Sequence, residues 1–227
     1  MPHRLLARAA SRATGRIGWA RGALGALLGI ALAGLATRAG LGALGSTLPW
    51  IAAPLGASAV LVFALPASPL AQPWPVAGGN LLSALTGLLI AMVVPDKALA
   101  AALATGLAIG VMSIARCLHP PGGACALLGA LAGTAGWTGF LPVLAINLVL
   151  LLLAGWAYNT LTGHSWPHHA PPPAPIPQGT WAGTYDEADL DAVLEDWDEV
   201  LDVSREDLDG LFRAVEQRVM TRWRNGG

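Results

Sequence analysis

Between Gly22 and Gly163, 142 consecutive residues carry only four charged side chains, Arg38, Asp96, Lys97 and Arg116. An ordinary soluble domain devotes roughly a quarter of its residues to charge, and a stretch this long without it has too little polar surface to face water. The segment is therefore expected in a bilayer. A helix needs about 20 apolar residues to cross about 30 Å of hydrocarbon. Four stretches meet that length, at 22–44, 76–94, 98–116 and 139–161. Two others, Trp50 to Pro66 and Pro121 to Gly136, are too short to cross comfortably and open on Pro and Gly, which suit a helix start; they read as half-helices.

The two short stretches resemble each other. Pro54-Leu-Gly-Ala-Ser-Ala-Val-Leu61 lies 67 residues before Pro121-Gly-Gly-Ala-Cys-Ala-Leu-Leu128, and at the same offset Asn80-Leu81 matches Asn147-Leu148. Ala and Leu coincide easily in this composition, whereas Pro, Gly and Asn do not. The pattern predicts an all-α, polytopic membrane protein. Its four spanning helices and two half-helices form a two-fold repeat of spanning helix, half-helix, spanning helix. Repeats with interrupted short segments at corresponding places point to a transporter's binding site. Whether the chain crosses four times, with two re-entrant pieces, or six times is open; the first arrangement is preferred.

Charge divides the rest. Residues 1–21 hold five Arg and no acid, an amphipathic lead-in whose position beside a span predicts a cytoplasmic N-terminus. The domain of 22–163 follows, then a Pro- and His-rich linker at 164–183, then an acidic helical hairpin at 184–227. Twelve of the fourteen acids fall between Asp186 and Asp209, which disfavours a nucleic-acid partner. Apolar residues recur at helical spacing from Tyr185 to Trp197 and from Leu208 to Trp223, the second opening on a Ser204 to Asp207 capping-box variant. So small a hairpin cannot bury its own faces, and a homo-oligomer joined partly through the tails is expected. An even number of crossings returns the tail to the cytoplasm.

The most informative string is Arg116-Cys-Leu-His119-Pro120-Pro121-Gly122-Gly123-Ala124. The two prolines force the preceding helix to stop. A helix starting at Pro121 leaves the N–H groups of Gly122, Gly123 and Ala124 facing the break as anion donors. Gly56, Ala57 and Ser58 would form the equivalent terminus after Pro54. Arg116 beside the break supports an anion, although an Arg near a span end also snorkels to the headgroups, the reading preferred for Arg38. His119 is a donor, a proton relay or a cap for a broken-helix carbonyl. Asn80 and Asn147, inside spans, contact either substrate or a neighbouring helix. Cys117 and Cys125 read as core packing, and His164, His168 and His169 as a solvated loop. No nucleotide-binding, metalloprotease or serine-hydrolase motif occurs, so neither an enzyme nor a cofactor is expected.

The strings Ala53 to Phe63, Pro69-Leu-Ala-Gln-Pro73, Gly79-Asn80 and His119 to Ala124 resemble, in order, motifs of the HPP family of integral membrane proteins, over about Gly22 to His169. The resemblance implies four transmembrane helices. Plant and cyanobacterial members are associated with nitrite transport, which makes a small monovalent anion, nitrite first, the expected substrate. It marks Gly56, Ala57, Ser58, His119, Pro120, Pro121 and Gly122 as motif positions without assigning roles. The tail resembles a segment that precedes nucleotide-sensing CBS domains in many bacterial members; with the sequence ending at Gly227, nucleotide gating is not expected. An Arg to Lys ratio of 12 to 1 suggests a GC-rich bacterial genome and the inner membrane. The competing expectation is a membrane-anchored scaffold or sensor acting through the tail.

Overall fold

The computed structural model of the chain describes residues 2–45, 48–169, 185–197 and 203–224. The expected linker from 170 onward and the side chains of Arg4, Arg8, Arg12, Arg16, Trp197 and Trp223 lie outside the described residues. Two compact units divide at His168 and His169. In the first, the helices are α1 (Pro2–Ala43), α2 (Leu55–Ala64), α3 (Asn80–Val93, entered through a π turn at Pro75–Gly79), α4 (Lys97–Ile114), α5 (Pro121–Ala132) and α6 (Phe140–Leu161). Four apolar stretches are long enough to cross a membrane, Gly18–Ala43, Pro75–Val93, Lys97–Ile114 and Phe140–Leu161, close to the four expected. Ile114 and Leu161 are more than four-fifths exposed, while Ser58, Asn80, His119, Asn147 and Asn159 are at most 1% exposed. Apolar side chains outside and polar ones inside suit a lipid solvent, which rewards small contacts and interhelical hydrogen bonds.

The half-helices do not turn back. Phe63 and Ala64, at the end of α2, pack on Gly22, Gly25 and Gly29 near the start of the first span, whereas Ala52, just before α2, sits with Thr37 through Asn147. The chain thus enters beside the end of α1 and leaves beside its beginning. The same holds for α5, which starts with Gly122 against Met112 and ends with the Ala130 carbonyl accepting from Lys97 Nζ at 3.2 Å. Both segments run from one end of the bundle to the other, so the chain makes six passes through the bundle, four of them by helices long enough to cross a membrane. The reason is in the flanks: the bends and turn at 48–54 before α2 and the turn Gly133–Trp137 after α5 supply the length the short helices lack. Two ends of the bundle result, one marked by Arg21 and the other by Lys97.

Three passes per repeat place the second repeat upside down relative to the first, with α1, α2 and α3 corresponding to α4, α5 and α6. Their packing is exchanged: α2 lies on α1 and on α6, while α5 lies on α4 and on α3. The α3 and α5 backbones approach so closely that a Cβ built on Gly87 would stand 2.1 Å from the Ala126 carbonyl oxygen, and one on Gly129 would stand 2.6 Å from that of Ala84. Glycine is required there by space. At Gly133, which caps α5, it is required by a φ of +61°.

In the second unit, α7 (Glu187–Trp197) and α8 (Arg205–Arg224) are joined by charge. Arg213 bridges Asp209 at 2.8 Å and Glu187 at 2.7 Å, and Arg205 pairs with Asp191. Ser204 caps α8 as expected, accepting from the Asp207 N–H at 3.0 Å and donating to its carboxylate at 2.6 Å.

Candidate functional site

The half-helices meet through one buried polar chain. Asn80, in the first turn of α3, donates to Ser58 Oγ at 3.0 Å and to the Val76 carbonyl at 2.8 Å, and accepts from the Cys125 thiol at 3.0 Å. Ser58 and Cys125 are repeat-equivalent positions of α2 and α5, so a single amide ties the two half-helices together. His119, in the break between α4 and α5, completes the chain: Nδ1 lies 2.8 Å from the Leu70 carbonyl and Nε2 lies 2.8 Å from Ser58 Oγ. A carbonyl only accepts, so Nδ1 carries the proton, and in the neutral ring Nε2 accepts from the Ser58 hydroxyl. Every bond then runs one way, from Cys125 through Asn80 and Ser58 to His119 and Leu70. The cluster holds no charged side chain, and all four members are buried. Sequence reading had left Cys125 as plain packing; it is the α5 anchor of the network.

The other expected positions are placed as follows. Gly122 and Gly123 do not present free donors, because their N–H groups bond back to the His119 and Pro120 carbonyls at 2.8 and 3.0 Å. Likewise Gly56 and Ser58 bond to Ala53 and Pro54 at 3.2 Å each. A tight first turn closes these groups within the chain, which corrects the expectation of unpaired N–H groups. Gly122 is buried because α3 and α4 press on it, through Gly79, Ser83 and Met112, whereas Gly56, Ala57 and Ala124 are exposed. Asn147 stands apart from the cluster: it accepts from the Ala52 N–H at 2.9 Å and donates to Thr37 at 2.8 Å, holding the segment that leads into α2. Arg116 is exposed, at the mouth of the break, with a left-handed φ of 52°, a conformation that costs a non-glycine residue roughly 1 kcal/mol.

Sequence reasoning missed two cations. Arg21 donates to the Phe63 carbonyl at 2.8 Å, to Asn159 at 3.0 Å and to Thr162 at 3.1 Å, and Asn159 donates to the Val62 carbonyl at 3.0 Å. Lys97 does the same for Ala130. Each half-helix therefore has the negative end of its dipole met by a cation; what could have flagged them is that each lies at the opening of a span. The segment 164–168, expected to begin the linker, instead packs on the membrane unit: Trp166 is buried against Gly155 and donates to the Ala71 carbonyl at 3.1 Å. A cavity of about 250 Å³ near the Lys97 end is lined by apolar residues such as Ile51, Phe140 and Val143, none of them in the cluster. Among the described residues no group of His, Cys, Asp or Glu is arranged to hold a metal ion.

The profile of the HPP transmembrane region matches residues 12–167. The chain belongs to the HPP transmembrane family. That span covers both repeats and ends one residue after the buried Trp166. Two proteins of Dictyostelium discoideum, each described as a transmembrane protein, are 39% identical over 119 residues and 41% identical over 106 residues. These matches cover 49% and 43% of this chain and 42% and 34% of the relatives, so the chain spans less than half the length of the curated relatives it matches. No solved structure matches.

Proposed function

We propose that this HPP-family protein moves a small monovalent anion, nitrite first among the candidates, across the membrane along the seam where α2 and α5 meet. The observation that carries the reading is the network joining Ser58, Asn80, His119 and Cys125 across the two half-helices of an inverted repeat. Inverted repeats with interrupted helices at corresponding positions hold substrate near their shared axis in secondary transporters. The donors at this seam are a neutral hydroxyl, Ser58, and a neutral amide, Asn80, with His119 Nε2 as the acceptor that faces them. Such groups suit a singly charged ion, binding it without the strong trap that a buried cation would set. Each donor is held by the next acceptor of the chain here, and an anion takes the place of His119 as the acceptor of the Ser58 hydroxyl when the halves part. Arg116 supports the reading from outside the cluster, as a cation exposed where the anion would arrive.

The basic N-terminal segment supports placing the Arg21 end in the cytoplasm, and the Arg-rich, Ala-rich composition supports a bacterial inner membrane. A scaffold acting through the tail is the second reading, favoured by the compactness of the tail as its own unit. Flux of nitrite and a panel of small anions into proteoliposomes tests both, with the full chain beside a chain ending at His169. Anion-selective flux retained after truncation is the expected result. Absence of flux for every anion refutes transport.

A further inference from the structure

One face of α8 is apolar and largely open, with Phe212 at its edge stacked on the Tyr185 ring. Leu190 of α7 and Met220 and Asp209 of α8 are buried, at 5%, 9% and 7% exposure. On the open face Leu211, Phe212, Val215 and Val219 are 58%, 47%, 50% and 47% exposed. At 100° per residue these four, together with Leu208, fall within about 100° of arc, the width of a packing stripe rather than scattered surface residues. The stripe is long enough to face another helix over three turns.

Charge along α8 says what that other helix is. Its first turn carries Glu206 and Asp207, while Arg218 and Arg222 lie exposed near its end. Asp207 and Arg218 fall on one flank of the stripe, and Arg222 lies in line with the stripe just beyond Val219. A parallel copy would set Arg218 and Arg222 beside the same arginines. An antiparallel copy places the basic end of each helix against the acidic start of the other and overlays the stripes completely, Leu208 opposite Val219 and Phe212 opposite Val215. The acids of α7, Glu187, Asp189, Asp191 and Glu195, oppose an anionic lipid surface as the occupant.

We propose that α8 pairs with α8 of a second copy of this chain, antiparallel, about a two-fold axis between Arg213 and Ala214. The interface is isologous, the same patch being used twice. The apolar stripe supplies the attraction and the terminal charges fix the direction, since exposed ion pairs contribute little strength. Nothing in this proposal depends on the transport reading.

Cysteine cross-linking of the full chain in liposomes tests it, with the buried Cys117 and Cys125 giving the wild-type background. A mixture of Leu208→Cys and Val219→Cys chains should form a disulfide-linked dimer. Either variant alone should not, because the two copies of residue 208 stand on the order of 16 Å apart along the helices, beyond disulfide reach. Arg218→Asp should lower the yield of the mixed cross-link, and Asp207→Arg in the same chains should restore it. Self-cross-linking of Leu208→Cys alone would establish a parallel pair and overturn the proposal. So would failure of the mixture to link in both liposomes and detergent, which would leave the stripe to lipid, to the membrane unit or to another protein.

Discussion

Replacing Asn80 by Leu removes a side chain that hydrogen-bonds both half-helices while keeping the same branching and number of heavy atoms. Three hydrogen bonds go with it, to Ser58, Val76 and Cys125. Hydrogen bonds within membrane domains contribute about 0.6 to 1.7 kcal/mol each, and the thiol is the weakest of the three partners, so the loss should be about 2 to 4 kcal/mol. In a chain of this size each kcal/mol moves the midpoint by roughly 2 to 4 °C, which predicts a melting temperature lower by roughly 5 to 15 °C. Tryptophan fluorescence in detergent reads it, since the chain has nine tryptophans. Asn147→Leu should cost a similar amount, because the repeat-equivalent amide bonds Ala52, Thr37 and Trp50. Ser113→Ala is the control: that hydroxyl bonds only the Ile109 carbonyl of its own helix and its loss should cost under about 0.5 kcal/mol. An Asn80→Leu protein melting within about 2 °C of the wild type would refute the view that this amide holds the half-helices together.

Arg21→Ala should lower the melting temperature clearly more than Arg38→Ala, because Arg21 caps the end of α2 while Arg38 is exposed; equal effects would count against the cap. Ala67→Cys, in the loop that holds Gln72, should be labelled from the same side of the membrane as His164→Cys, since Gln72 accepts from the His168 N–H at 2.8 Å. Labelling from opposite sides would contradict the six-pass path. In the tail, hydrogen bonds from Arg213 and Arg205 hold the Asp209 and Asp191 carboxyls below the usual carboxylate range. The unfolded tail therefore binds protons more tightly than the folded one, and the stabilisation is fully present above the ordinary carboxylate pKa and is lost as the pH falls through the lower folded values. Hydrogen-exchange protection of α8 in the full chain, corrected for the intrinsic pH effect, should hold from pH 7 to about pH 5 and decline below about pH 4. Protection that declines between pH 7 and 5 would point to other groups.

Hydropathy and helix-breaking residues carried the fold. The four spans, the two half-helices and the repeat offset were legible because length in a bilayer is a one-dimensional constraint and because Pro54, Pro120 and Pro121 leave little choice of where helices start. Direction was not legible. The bends and turn before α2 have no hydropathy signature of their own, so a short helix looks re-entrant until its contacts with Gly25 and Gly29 show which way it runs. At the site, Ser58, Asn80 and His119 were found from motif and repeat, and they do converge. Cys125 was missed as a partner because a thiol among alanines looks like filler. Arg116 was expected beside the broken helix and lies at its mouth, outside the buried cluster. Arg21 was read as a flank because its partners, Phe63 and Asn159, lie 42 and 138 residues away, a distance no local pattern records.

The seam itself is tested most directly by placing a thiol in it. Ser58→Cys, combined with Cys117→Ala and Cys125→Ala, puts a single cysteine where α2 meets His119. In proteoliposomes carrying an anion gradient, a small negatively charged thiol reagent should reach that cysteine during transport and stop nitrite flux. Saturating nitrite should slow the reaction. Flux through the cysteine variant that continues unchanged after the thiol is shown to be modified would contradict a path between the half-helices.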